Sequence, residues 1–154
     1  MEDSVFLPVS VNITDKKIVI VGGGKVAFHK ATVLSRFTSS ATVIAPEFHS
    51  GFDALLFSLV QKKYEPSDLD GAFLVYVCTE NEALNVSVKS ECEKRGILAS
   101  VCDNPSLCDF ISPAIYKEEN MTVAVSSNAL DVRRSIAVRN QIQELVENKL
   151  LKIK

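Results

Sequence analysis

The chain has 154 residues, 47% hydrophobic and 23% charged, with a net charge of −2. That composition describes one globular domain with a proper core and excludes a disordered chain. Its Lys and Arg residues form no basic run that would suggest nucleic acid, and no apolar run nears the roughly 20 residues of a membrane span.

In chain order, Val5 to Val11 alternates loosely and predicts an edge strand, and Asp15-Lys16-Lys17 a turn. The N-terminus reads as lacking a signal peptide, because Glu2 and Asp3 stand where basic residues belong and Pro8 interrupts the apolar stretch. The expected location is therefore cytoplasmic. Ile18-Val19-Ile20-Val21 is a short β-branched run ending in three glycines, the pattern of a strand buried on both faces. A helix is expected from Val26 to Phe37, with Ala27, Ala31 and Leu34 at helical spacing. Further strands are expected at Ala41 to Ile44, Val60 to Tyr64, Phe73 to Val77 and Ile97 to Val101, with a short helix over Phe52 to Leu59. Thr79 to Glu82 fits a capping box, opening a helix that runs to Lys94 and stops at Gly96.

Strand and helix alternate this far, which predicts a parallel sheet. The expected fold class is α/β: a Rossmann-type parallel sheet with helices on both faces, followed by a β-hairpin and a long helix forming a dimerisation segment. The hairpin is read over Phe110 to Lys117 and Met121 to Ser126, and the helix from Val132 to Leu150 with Asp131 as its N-cap. A hairpin and one helix make a poor core alone. The expected domains are 1–113, the dinucleotide-binding part, and 114–154, with the boundary near Pro113.

Gly22, Gly24 and Ala27 match G-x-G-x-x-G/A between a strand and a helix. Gly22 permits the tight turn, Gly24 lets backbone approach a pyrophosphate, and Ala27 brings the helix close to the strand. The helix N-terminus then offers free N–H groups to the phosphates. The tip of the second strand is Ala45-Pro46-Glu47. Glu47 is either a ribose ligand or a solvated loop charge, and no Arg stands there to receive a 2′-phosphate, which favours NAD over NADP. Thr79 follows the fourth strand at the carboxyl edge, where it is placed both to cap the next helix and to touch the cofactor. Asp103, just past the fifth strand, faces the same crevice; by position alone it is equally a proton acceptor or the first residue of an ordinary turn. Cys78, Cys92, Cys102 and Cys108 lack metal-site spacing and read as reduced thiols, so no metal site is expected. His29 and Lys30 read as exposed helix positions.

The stretch from Val101 to Ile115, with Asp103-Asn104-Pro105-Ser106-Leu107-Cys108-Asp109-Phe110 at its centre, resembles the signature of the precorrin-2 dehydrogenase/sirohydrochlorin ferrochelatase family. Phe6 to Val9, the Gly22 to Ala27 turn with Lys30, and Asn85 resemble that family too. The resemblance implies oxidation of precorrin-2 to sirohydrochlorin with NAD as hydride acceptor, in some members also insertion of ferrous iron. It implies an essential aspartate at Asp103, cofactor contacts at Gly22, Gly23, Gly24, Lys25, Val26, Pro46, Glu47 and Thr79, and an intertwined homodimer.

The substrate the resemblance implies is a polycarboxylate, so Arg133, Arg134 and Arg139 are candidate ligands, with a solvated helix face as the plainer reading of each. Ser126, Ser127 and Asn128 are further candidates for substrate binding. Two departures stand out. The family usually has Gly where this chain has Ala129, and Ser-Pro where it has Asp131-Val132. The family also usually continues into a small helical domain, expected to be missing here. Both favour a binding module without turnover as an alternative to the dehydrogenase; a bifunctional dehydrogenase/ferrochelatase is the other alternative, which the missing domain disfavours.

Overall fold

A computed structural model describes residues 4–153. It divides into two compact units, Ser10–Phe110 and residues 4–9 with 111–153.

The larger unit is a five-stranded parallel sheet built from β1 (Lys17–Val21), β2 (Thr42–Ala45), β3 (Ser58–Gln61), β4 (Ala72–Val77) and β5 (Leu98–Val101). The strand order is β3-β2-β1-β4-β5, so the order reverses beside β1. Every residue of β1 after Lys17 is buried. Ile18 and Ile20 join a core with Ala27, Ala31 and Leu34 of α1 (Lys25–Leu34). Val19 and Val21 point the other way, into a core with Val88 and Cys92 of α2 (Glu82–Arg95). The β-branched run thus reads as a central strand because both of its faces are covered, each buried side chain contributing on the order of 1.5–3 kcal/mol. The Rossmann-type sheet with helices on both faces is as the sequence predicts.

Several local expectations are corrected. Residues 5–11 form no strand: Val5 and Leu7 are 89% and 81% exposed, and Pro8 has no N–H to offer a ladder. The short helix expected over 52–59 is a 3₁₀ turn, Ser50–Ala54, and β3 begins at Ser58, not Val60. Its length is set by pairing with the four residues of β2, from Thr42↔Ser58 to Ala45↔Gln61. The cap of α2 is Asn81, not Thr79; Asn81 Oδ1 accepts from Leu84 N at 3.0 Å. Gly96 closes α2 in the left-handed conformation (φ 67°), as expected of a C-terminal glycine.

The smaller unit holds an antiparallel hairpin, β6 (Ala114–Glu118) and β7 (Met121–Val125), and α3 (Val132–Glu147), which packs on both strands. β6 starts four residues later than expected, because Pro113 cannot donate to a ladder. Asp131 caps α3 as predicted, accepting from Arg134 N at 2.9 Å. The helix stops at Glu147 instead of Leu150: Lys149 turns left-handed (φ 60°) and Leu150 N bonds back to Leu145 O at 2.8 Å. Asn128 ties the N-terminal residues to this unit, accepting from Phe6 N at 2.7 Å and donating to Ser4 O.

Candidate functional site

The carboxyl ends of β2, β1, β4 and β5 are stitched in one row. Gly22 N donates to Ile44 O, Cys78 N to Val21 O and Cys102 N to Val77 O, each at 2.8–2.9 Å. That row brings the glycine turn, Pro46-Glu47, Thr79 and Asp103 to one edge of the sheet, at the point where strand order reverses. Ligands of open α/β sheets bind there.

Each glycine of the turn has its own reason. Gly22 takes φ 122°, and a Cβ there would overlap the Cys78 carbonyl. A Cβ on Gly23 would overlap the Glu47 carbonyl and meet the Ala45 Cβ at 2.8 Å. Gly24, by contrast, has no described residue within 4 Å of its Cβ position. Its open side is a place for a ligand, as an approach by pyrophosphate requires. Gly24 is also the N-cap of α1, yet among the described residues no side chain caps that helix, and no acid lies in its first turn. The leading N–H groups are left for an anion. Lys25, Val26, Pro46 and Glu47 are all exposed around this turn.

Thr79 is held by Asn85. The Thr79 hydroxyl donates to Asn85 Oδ1 at 2.5 Å, and Asn85 Nδ2 donates to Thr79 O at 2.9 Å. Asn85 is buried, so the loop after β4 is pinned from within. Asp103 is exposed and left-handed (φ 65°). Its turn is closed by Asn104 N to Val101 O at 3.2 Å. Cys108 Sγ braces that turn, accepting from Val101 N at 3.2 Å. Asp109 anchors its far end: Oδ2 accepts from Ala99 N at 2.9 Å, while Oδ1 pairs with Lys89 Nζ at 2.6 Å.

Lys30 departs from its sequence reading. His29 is exposed as expected, but Lys30 is half-buried. Burial lowers its pKa from the ordinary lysine value, and the Asp103 carboxylate and the Cys108 sulfur act on it in the opposite direction without cancelling the shift. Sequence spacing carried a weak signal for this, since Lys30 lies on α1 three residues after buried Ala27 and four before buried Leu34.

Sequence reasoning also took the four cysteines as free thiols. Cys78 and Cys102 are joined in the structure, with their Cα atoms 5.2 Å apart, and only Cys92 and Cys108 are free. Strand ends that pair side by side set that distance.

The remaining candidates lie in the smaller unit. Ser126, Arg133 and Arg134 are exposed. Ser127 Oγ accepts from Asp131 N at 2.9 Å, Asn128 holds residues 4 and 6, and Arg139 Nη1 donates to Ile115 O at 2.9 Å. Among the described residues no group of three His, Cys, Asp or Glu side chains is placed to hold a metal ion, and no helix is long and apolar enough to cross a membrane.

A family model described as "Putative NAD(P)-binding" matches residues 9–114. The siroheme synthase of Methylobacillus flagellatus is 34% identical over 147 residues, covering 91% of this chain and 31% of that protein. That of Photorhabdus laumondii is 35% identical over 149 residues, covering 94% and 32%. The chain thus spans about a third of the length of the curated relatives it matches. Among solved structures, "SirC, precorrin-2 dehydrogenase" superposes with a TM-score of 0.73 at 21% identity, covering 94% of this chain and 71% of that one.

Proposed function

Because this chain belongs to that NAD(P)-binding family and is a relative of the siroheme synthases, we propose that it is an NAD-dependent precorrin-2 dehydrogenase. The observation that carries the reading is one shared edge: an uncapped α1 N-terminus behind an open Gly24, with the exposed carboxylate of Asp103 on the same row of strand ends. The glycine turn, Lys25, Val26, Pro46, Glu47 and Thr79 hold the dinucleotide. The coenzyme of choice is NAD, since the tip of β2 offers Glu47 for a ribose hydroxyl and no Arg for a 2′-phosphate.

Oxidation of precorrin-2 to sirohydrochlorin removes one hydride and one proton. NAD, when bound, supplies the hydride acceptor. Asp103 takes the proton, and its left-handed backbone, braced through Cys108 and Asp109, holds the carboxylate out from the sheet edge. A positioned base of this kind contributes on the order of 10²–10⁴-fold. Residues 1–113 form the dinucleotide-binding part, and 114–154 serve a second copy of the chain and the substrate. Ile136 and Leu145 of α3 are each 41% exposed and fit a homodimer interface. Arg133 and Arg134 are free to meet substrate carboxylates, whereas Arg139 is committed to Ile115. Iron insertion would use the same Asp103 to draw protons from pyrrole nitrogens, with ferrous iron as substrate. The cytoplasm is the place of action, with neither nucleic acid nor membrane as partner.

The test is an anaerobic assay of the purified protein with precorrin-2 and NAD, following NADH and sirohydrochlorin by absorbance. The expected result is NADH formed one-for-one with product and lost in Asp103→Ala. NAD binding with no turnover would replace the dehydrogenase by a binding module.

A further inference from the structure

Cys78 and Cys102 occupy a distinctive place. One is the residue before Thr79 and follows β4; the other is the residue before Asp103 and follows β5. Both amides belong to the hydrogen-bond row at the crevice edge, Cys78 N to Val21 O and Cys102 N to Val77 O. Their Cα separation of 5.2 Å lies within the span a disulfide bridges without backbone movement. The other two cysteines are unsuited to exchange. Cys92 is fully buried in a core, and burial pushes its thiol up to about 11. Cys108 is engaged with the backbone of Val101 and Asn104. Cys102 is half-buried, hence the more accessible member of its pair, while Cys78 is buried behind it.

We propose that Cys78 and Cys102 form a reversible redox site, closed by exchange with a small-molecule disulfide of the glutathione class, whose cross-link clamps the crevice edge between Thr79 and Asp103. The Cys102 thiolate attacks one sulfur of the small disulfide, forming a mixed disulfide and releasing one thiolate. The Cys78 thiolate then attacks the Cys102 sulfur and releases the second. The protein pair loses two electrons and two protons, and the small disulfide becomes two thiols. The bond joins segments 24 residues apart, immediately before the two residues whose placement matters most. Opening it frees the loops after β4 and β5 from each other while leaving the strand ladder between them in place. Local stability at these loops is therefore expected to follow the state of the pair. This inference stands apart from the dehydrogenase reading.

The experiment equilibrates the folded chain with graded ratios of reduced to oxidised glutathione. Acid quenching, denaturation and maleimide labelling then count thiols by mass, and peptide mapping locates the link. Amide exchange of the segments 77–82 and 101–106 is measured at each extreme, with a Cys78→Ser/Cys102→Ser double variant as control. The expected result is four labelled thiols at the reducing end and two at the oxidising end. Cys78–Cys102 is then the linked peptide, the change reverses, and amide exchange in both segments is at least about threefold slower in the cross-linked form. The double variant keeps its two remaining thiols throughout and shows no redox-dependent exchange. Four thiols at every ratio, a link reducible only after denaturation, or exchange equal in both forms would overturn the proposal. Neither readout needs a dinucleotide, so a chain that binds no NAD fails the function proposed above and not this one.

Discussion

Gly22 packs so closely on the main-chain carbonyl of Cys78 that no Cβ fits between β1 and β4 at that point. The same holds for Gly23 against the Glu47 carbonyl, but not for Gly24. The three glycines therefore separate in mutagenesis. Gly22→Ala and Gly23→Ala are expected to destabilise the fold by about 2–4 kcal/mol through overlap with backbone that cannot yield, together with positive-φ strain at Gly22. Gly24→Ala is expected to leave the urea midpoint within error and to weaken NAD binding by roughly tenfold or more, since its Cβ enters only the space a pyrophosphate needs. Urea titration and calorimetric NAD binding on the three variants check this. Equal destabilisation by all three would contradict it.

Lys30 is a charge held at a cost. Burial lowers its folded pKa below the ordinary lysine value, so the unfolded chain binds the proton more tightly and stability rises with pH between the lowered value and about 10.5. At neutral pH the buried charge is a penalty. Lys30→Met is expected to raise stability by about 0.5–1 kcal/mol and to reduce turnover of the proposed dehydrogenase, because the positive charge that interacts electrostatically with Asp103 is gone. Thermal melts alongside the anaerobic assay decide it; a variant that is less stable and equally active would contradict both halves.

Lys89 and Asp109 behave in the opposite sense. The Lys89 side chain is only 7% exposed, and Asp109 also serves the Ala99 amide. Burial disfavours the charge on Lys89, but hydrogen bonds from its ammonium to Asp109 and Glu93 outweigh it and raise the pKa. That contribution is fully present below about pH 10.5 and is lost as pH rises through the raised value. Asp109→Ala is expected to cost about 1.5–3 kcal/mol, because it removes one of the two carboxylates paired with the Lys89 ammonium and the acceptor of the Ala99 amide, leaving Glu93 as the remaining partner. In Lys89→Met the fall in stability above pH 10.5 should be shallower than in the unaltered chain, which paired urea titrations at pH 9 and 11.5 measure.

Ala129 holds a conformation that suits glycine. Its φ is 63°, next to Asn128 at 57°, in the segment where the resembled family pattern has glycine. An L-residue with a Cβ pays roughly 1–2 kcal/mol there. Ala129→Gly is therefore expected to stabilise the chain by about 1 kcal/mol, with the higher chain entropy of glycine offsetting part of the gain. A lower melting temperature in this variant would show the segment is not strained. The neighbouring Asp131 has its carboxylate occupied as the cap of α3, so its acidity has a structural cause.

The local code determined a great deal here. Four apolar β-branched residues ending in Gly22-Gly23-Gly24, followed by Ala27, Ala31 and Leu34 at helical spacing, specify strand, turn and helix from near-neighbour preferences alone. The cap at Asp131 and the stop at Gly96 are legible for the same reason. What the tertiary structure decided are relationships across the sheet. The order β3-β2-β1-β4-β5 sets Glu47 against Gly23, Cys78 beside Cys102, and Asp109 over Lys89. It also buries Lys30, which helical spacing left between an exposed and a covered face. Each of these pairs is separated by 20 residues or more. Spacing along the chain carries no distance across a sheet, so only the assembled strands could bring them together.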